Sequence, residues 1–213
     1  MANPISLIYE ELYRHFGAQH WWPAKTRFEV MVGAILTQNT NWSNVERAIN
    51  NLKKNKSLGP HKLRRLPRQK LARLIKSAGY YNIKAKRLKE FLKFLFESYQ
   101  GNIKKMCLAD TQELRRQLLS VNGIGPETAD SMLLYALDKP VFVVDSYTKR
   151  ILSRHRFIRD DEDYETIQNL FMQSLKKDIK IFNEFHALLV RLGKDACLKN
   201  KPRCDICPLR KMR

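Results

Sequence analysis

The chain of 213 residues carries 40 Lys and Arg against 21 Asp and Glu, a formal charge of +19, with 44% of its residues apolar. That is enough apolar material for one large core or two small lobes, so a natively unfolded chain is excluded. An excess of charge this large repels itself unless a polyanion sits nearby, and the matching acids of a thermophile-type charged surface are absent, so nucleic acid is the expected partner.

No apolar run reaches the roughly 18 to 20 residues of a membrane span, and Met1 to Glu10 lacks the basic and apolar regions of a secretion signal. The expectation is a cytoplasmic, DNA-associated protein of bacterial or archaeal type, monomeric and without membrane contact. Such an address keeps thiols reduced. Of four cysteines, three crowd at Cys197, Cys204 and Cys207, which suggests metal binding rather than a disulfide framework, while Cys107 reads as a buried thiol.

Apolar residues recur at helical spacing almost throughout, so the expected fold class is all-α, with a helix-hairpin-helix motif and a C-terminal Cys-rich loop. Arg27 to Thr37 is apolar nearly all round and reads as a central buried helix. Trp42, Val45, Ile49 and Leu52 form one helical stripe, and Leu88, Phe91, Leu92, Leu95 and Phe96 another, with Asn82 as a cap after the Gly79 break. Lys53, Lys54, Lys56, Lys62, Arg64, Arg65, Arg68 and Lys70 crowd one connection, and any that touches a phosphate would release a counterion. Asp110 with Glu113 reads as a capping box, and Pro126 suits a first helical turn. Helices are further expected over 164–178 and 181–193. The only β-like stretch, Val141 to Val144, is too short for a sheet and should thread the core.

Leu114 to Ser120 and Glu127 to Leu137 read as two helices joined by the turn Val121-Asn-Gly-Ile-Gly-Pro126, with Ala129, Met132, Leu133 and Ala136 inward. Gly123 and Gly125, around Ile124, let main-chain amides approach a ligand without a Cβ in the way, and amides at a helix N-terminus make an anion site. An ordinary inter-helix turn also uses glycine; the chain's charge favours a phosphate. Twenty residues on, Val143-Val-Asp145 places a carboxylate after an apolar run. It can be an N-cap, and it can also stabilise positive charge on a sugar beside the gripped phosphate.

The glycine hairpin, the Val-Val-Asp145 segment and Cys197-x6-Cys204-x2-Cys207 together resemble the helix-hairpin-helix DNA glycosylases of the endonuclease III type. Trp21-Trp-Pro23, Leu36-Thr-Gln-Asn-Thr40, Gly79-Tyr-Tyr-Asn-Ile-Lys-Ala-Lys-Arg-Leu88 and Gly123-Ile-Gly-Pro-Glu-Thr-Ala-Asp130 more closely resemble the 3-methyladenine DNA glycosylase III branch. The resemblance implies a six-helix barrel over 25–135, a second helical domain from 1–24 and 136–213, and damaged double-stranded DNA in a cleft between two lobes. It implies Asp145 as the catalytic residue and Gln38 and Asn39 as the duplex wedge. A base pocket of Trp21, Trp22, Pro23, Trp42 and Lys194 would face the flipped nucleotide. Indole faces would favour a cationic alkylated purine by about 1 to 2 kcal/mol over a neutral base.

Endonuclease III carries a Schiff-base lysine where this chain has Glu127, so the resemblance implies a monofunctional enzyme without strand cleavage. The adenine-removing mismatch branch carries a glutamate where Ala34 stands. The alternatives are a bifunctional glycosylase and lyase using another amine such as Lys194, a thymine mismatch glycosylase, and a non-catalytic DNA-binding module. The resemblance also implies a [4Fe-4S] cluster on four cysteines. Three are present, and the position of the fourth is Arg213.

Overall fold

The computed structural model describes residues 3–19, 21 and 24–212. Twelve α-helices and no strands occur among them: α1 (Pro4–Phe16), α2 (Arg27–Thr37), α3 (Trp42–Lys54), α4 (Pro60–Arg65), α5 (Arg68–Leu74), α6 (Tyr81–Tyr99), α7 (Ile103–Leu108), α8 (Thr111–Ser120), α9 (Pro126–Leu137), α10 (Ser146–Arg154), α11 (Tyr164–Ser174) and α12 (Ile179–Asp195). The fold class expected from helical spacing is therefore observed. The chain divides into two compact units, Met1–Trp21 with Pro140–Arg213, and Trp22–Lys139.

In the central unit, α2 is the axis of the core. Thr26 caps it by accepting from the Glu29 amide at 3.2 Å, and Phe28 through Leu36 are buried in sequence. The helix packs on α9, α3 and α6. A helix apolar on every side can only be stable when surrounded, and α2 is. The expected caps hold at α8, where Asp110 accepts from the Glu113 amide at 2.9 Å, and at α9, where Pro126 occupies the first turn.

Three local expectations need correction. Asn82 does not cap α6, because Gly79 (φ +69) and Tyr80 (φ +43) turn the chain into the helix two residues earlier, with Tyr80 at the N-cap. The helices expected over 164–178 and 181–193 run 164–174 and 179–195. The cause is Asp178, whose carboxylate accepts from the amides of Lys180 (2.7 Å) and Ile181 (3.2 Å) and so starts α12 early. Cys107, on α7, is half-buried rather than enclosed.

In the unit formed by the two ends of the chain, α12 packs on α1 and α10, and α1 also on α11. Val141 to Val144 threads this core without joining a sheet, all four side chains at most 6% exposed. Phe142 stacks on Phe171 with centroids 3.8 Å apart and meets Phe182 and Phe185 edge-on. Buried backbone without a ladder needs other partners. Gln168 donates to the Phe142 carbonyl at 2.6 Å, the Phe142 amide donates to Met172 Sδ at 3.4 Å, and the Val144 amide donates to the Tyr164 hydroxyl at 3.3 Å. Helix α11 thus fixes the strand-like segment whose next residue is Asp145. No helix among the described residues is long and apolar enough to cross a membrane.

Candidate functional site

Asp145 stands where the threaded segment becomes α10. Its Oδ1 accepts from the Thr148 amide at 2.8 Å and from the Thr148 hydroxyl at 2.9 Å, and its Oδ2 lies 3.5 Å from His186 Nε2 on α12. The Asp145 side chain is 11% exposed and that of His186 7%. Burial pushes the carboxyl upward, but His186 and the two Thr148 donors outweigh it, and the acid is held below the usual carboxylate range. Asp145 therefore caps a helix and also presents a second, ionised oxygen toward an imidazole. Such a fixed carboxylate can stabilise positive charge developing nearby. Spacing alone missed His186: it sits in the apolar run Phe185-His-Ala-Leu-Leu, where a lone histidine carries little signal. Thr148 was legible as the third residue after a capping aspartate.

In the central unit the turn between α8 and α9 has two different glycines. Gly123 has φ +89, which only glycine adopts at no cost, and a Cβ there would run into the Arg87 stem. Gly125 is an ordinary extended N-cap (φ −95, ψ 179) with open space around it, so its conformational freedom is not required. Ile124 is buried (4% exposed) and anchors the turn, its amide donating to the Val121 carbonyl at 3.0 Å. Helix α9 has no side-chain cap hydrogen bond, and Pro126 at its first turn brings no N–H of its own. Arg115 braces the two helices by a two-pronged pair with the enclosed Asp130, at 2.7 and 3.0 Å.

Gln38, at the end of α2, donates to the Gly123 carbonyl at 3.0 Å and to the Thr128 hydroxyl at 2.9 Å, and its own carbonyl accepts from Arg87. It is a strut of the hairpin in this state. Asn39 is exposed with a left-handed backbone (φ +53). Glu127 is exposed in the first turn of α9, and Trp42 is half-buried at the start of α3. Lys194, exposed near the end of α12, holds its Nζ 5.5 Å from the Trp21 ring centre. Trp22 and Pro23 lie outside the described residues.

Cys197, Cys204 and Cys207 line a pocket of about 140 Å³ with Arg154 and His155. Cys197 and Cys207 are buried and Cys204 is exposed; burial pushes the Cys207 thiol up. His155 has Nδ1 2.8 Å from the Met212 carbonyl and Nε2 3.9 Å from Cys207 Sγ. Arginines fasten the loop: Arg150 donates to the Cys197 carbonyl at 2.9 Å, and Arg154 to those of Leu198 and Lys199 at 2.6 Å each. Among the described residues, no three His, Cys, Asp or Glu side chains are gathered as a metal site. The donor set is one thiolate short of four, the fourth position being Arg213, outside the described residues.

The sequence matches the HhH-GPD superfamily, base excision DNA repair proteins, over residues 32–177. It is 52% identical over 208 residues to "Putative DNA repair glycosylase MJ1434" of Methanocaldococcus jannaschii, spanning 97% of this chain and 94% of that protein. Its fold is similar to the 3-methyladenine DNA glycosylase MagIII of H. pylori, solved with 1,N6-ethenoadenine (TM-score 0.79, 27% identity, 92% of this chain and 99% of that one). It is also similar to endonuclease III in a non-covalent DNA complex (TM-score 0.83, 23% identity, 100% and 95%). The chain belongs to the HhH-GPD superfamily of base excision DNA repair proteins, the helix-hairpin-helix DNA glycosylases.

Proposed function

We propose that the chain is a monofunctional DNA glycosylase that releases alkylated purines of the 3-methyladenine type from duplex DNA, with Asp145 as its catalytic carboxylate. The observation that carries this reading is the Asp145 site: a carboxylate fixed by Thr148, facing His186, and held ionised despite its burial. In the proposed reaction the bond between C1′ and the base nitrogen breaks with its electron pair leaving on the base. Positive charge grows on the sugar, Asp145 stabilises it, and water adds to C1′ and gives up one proton to solvent as the C1′ hydroxyl forms. An alkylated purine already carries a positive charge, so its departure needs no protonated side chain.

The nucleotide would be flipped out of the duplex, with Gln38 and Asn39 at the gap and the 123–125 turn on a neighbouring phosphate. Trp21, Trp22, Pro23, Trp42 and Lys194 are assigned to the base pocket in this reading. The likeness to the H. pylori 3-methyladenine enzyme supports the substrate class. Glu127, standing where endonuclease III has its amine, supports hydrolysis without imine formation, leaving the strand intact. A [4Fe-4S] cluster on Cys197, Cys204 and Cys207 belongs to the same reading, and no catalytic step runs through it.

The test is a base-release panel on duplexes bearing 3-methyladenine, ethenoadenine, oxidised pyrimidines, uracil and T·G mismatches, with borohydride trapping alongside. Release of alkylated purines without trapping is expected. Preference for uracil or thymine overturns the substrate class, a trapped adduct overturns the monofunctional mechanism, and release of no base by a protein that still binds duplex leaves the non-catalytic module.

A further inference from the structure

Between Glu46 and Glu90 the chain carries fifteen of its 40 Lys and Arg and not one acid. Several of these cations are engaged inside the central unit. Lys53 pairs with Glu29 at 2.6 Å, Lys84 donates to two buried carbonyls, Arg87 reaches Gln38, and Lys89 donates to the carbonyls of Leu63 (3.0 Å), Arg64 (2.8 Å) and Leu66. Lys54, Lys56, Lys62, Arg65, Arg68 and Lys70 remain exposed, with no ion-pair partner among the described residues.

From these observations we propose that the face built by α4, α5 and the connection from α3 is a second DNA-binding surface. It holds the phosphates of undamaged duplex, independently of sequence and separately from the glycine hairpin. The inference rests on the glycosylase reading for its partner, and its own evidence is the construction of the face. A six-residue helix has too few internal hydrogen bonds to hold itself, so α4 must be fastened from outside. Lys89 does this by capping its last carbonyls. Phe96 of α6 does it from the side: His61 meets that ring edge-on at 4.9 Å, and the Arg64 guanidinium lies over it at 4.3 Å. Leu63 and Leu71 are fully buried beneath, so the cations between and around them project from a rigid base.

A flexible basic tail would need none of this. A solvated charged surface would intersperse acids to limit self-repulsion, and the segment from 47 to 89 that builds this face contributes none. The face is also separate by packing: α4 rests on α6 and α5 on α6 and α3, whereas the hairpin helices rest on each other and on α2 and α7. A glycosylase with two phosphate-holding faces can stay on undamaged DNA while its site samples bases.

The test uses the full chain with Lys62→Gln, Arg65→Gln, Arg68→Gln and Lys70→Gln combined, and measures affinity for undamaged and lesion-bearing duplex across salt. Each phosphate contact contributes about 0.9 to the slope of log K against log salt, so a fall of about 3 to 4 is expected, equal for both duplexes. A second variant exchanging Lys and Arg at the same four positions keeps the slope, which separates lost charge from lost fold. An unchanged slope in the Gln variant, a loss confined to lesion DNA, or a loss seen with an RNA hairpin but not with duplex DNA overturns the proposal. A base-release panel silent on every substrate fails the glycosylase reading instead, and the slope of the wild-type chain on undamaged duplex is measurable either way.

Discussion

The Arg87 side chain lies across the open side of Gly123, where a Cβ would stand, and it is held there by its bond to Gln38. Gly123→Ala therefore meets two obstacles, a left-handed backbone and an immobilised neighbour, and should cost about 1 to 2 kcal/mol in unfolding free energy. Gly125→Ala meets neither and should change stability by less than about 1 kcal/mol. Denaturant unfolding of the two variants, with duplex affinity measured in parallel, should show both losses in Gly123→Ala alone. Equal behaviour would mean that the turn's backbone does not depend on this packing.

At the carboxylate the expected outcomes follow from opposing influences. Burial raises the Asp145 pKa, while His186 and Thr148 lower it further than burial lifts it. A depressed folded value means that the stability contributed by this group is present above the ordinary carboxylate pKa and is lost as pH falls through the folded one. As far as Asp145 is concerned, base release should accordingly hold steady until pH falls below the ordinary carboxylate range. Asp145→Asn should retain duplex binding and lose base release. His186→Gln removes the imidazole that lowers the Asp145 carboxyl, so the acid limb of the rate profile should move to higher pH. A limb that stays in place would show that His186 does not act on Asp145.

Lys84 gives a third expectation. The residue is 1% exposed and its ammonium donates to the Leu36 carbonyl at 2.9 Å and the Ala78 carbonyl at 2.6 Å; burial first, then Arg87, brings its pKa down to about 8. Between that value and 10.5 the unfolded chain holds a proton that the folded one has released, so this residue's contribution to stability rises with pH across the window. Below it both states are charged and the burial penalty stands in full. Lys84→Met leaves two carbonyls without their donor, a loss of about 1 to 3 kcal/mol, and removes the titration. The stability gap between wild type and variant should widen from pH 7 to pH 10. A constant gap would contradict the lowered pKa.

What the sequence made legible was whatever rests on local periodicity and caps. Arg27 to Thr37 declares a buried helix because every face is apolar, and Asp110 and Pro126 declare helix starts because their chemistry satisfies amides within three residues. Val141 to Val144 was legible as a core segment from its lack of polar residues, though not the side chains of α11 that satisfy its backbone, since Tyr164 and Gln168 lie 20 and 26 residues from their partners in the chain. His186 and Arg87 were missed for the same reason. Their roles exist only once α12 meets Asp145 and α6 meets Gly123, and nothing in a neighbouring residue announces that meeting. The glycine pair misled in the other direction: two identical letters were read alike, while φ separates them.

The cysteine loop offers the last expectation. Cys197 and Cys207 are buried, so replacing either risks the fold, but Cys204 is exposed on its 3-10 turn and Cys204→Ser should fold normally. Arg150 and Arg154 tie the loop to α10 through backbone carbonyls, which requires no metal. If a cluster is held here, protein purified without oxygen should contain iron and acid-labile sulfide, absorb in the thiolate-to-iron region, and lose both in Cys204→Ser along with several degrees of melting temperature. Absence of iron from the wild-type chain under those conditions would leave the arginines as the loop's fastening. Arg150→Ala, which removes the donor to the Cys197 and Gly193 carbonyls, should then lower the melting temperature by more than Cys204→Ser does.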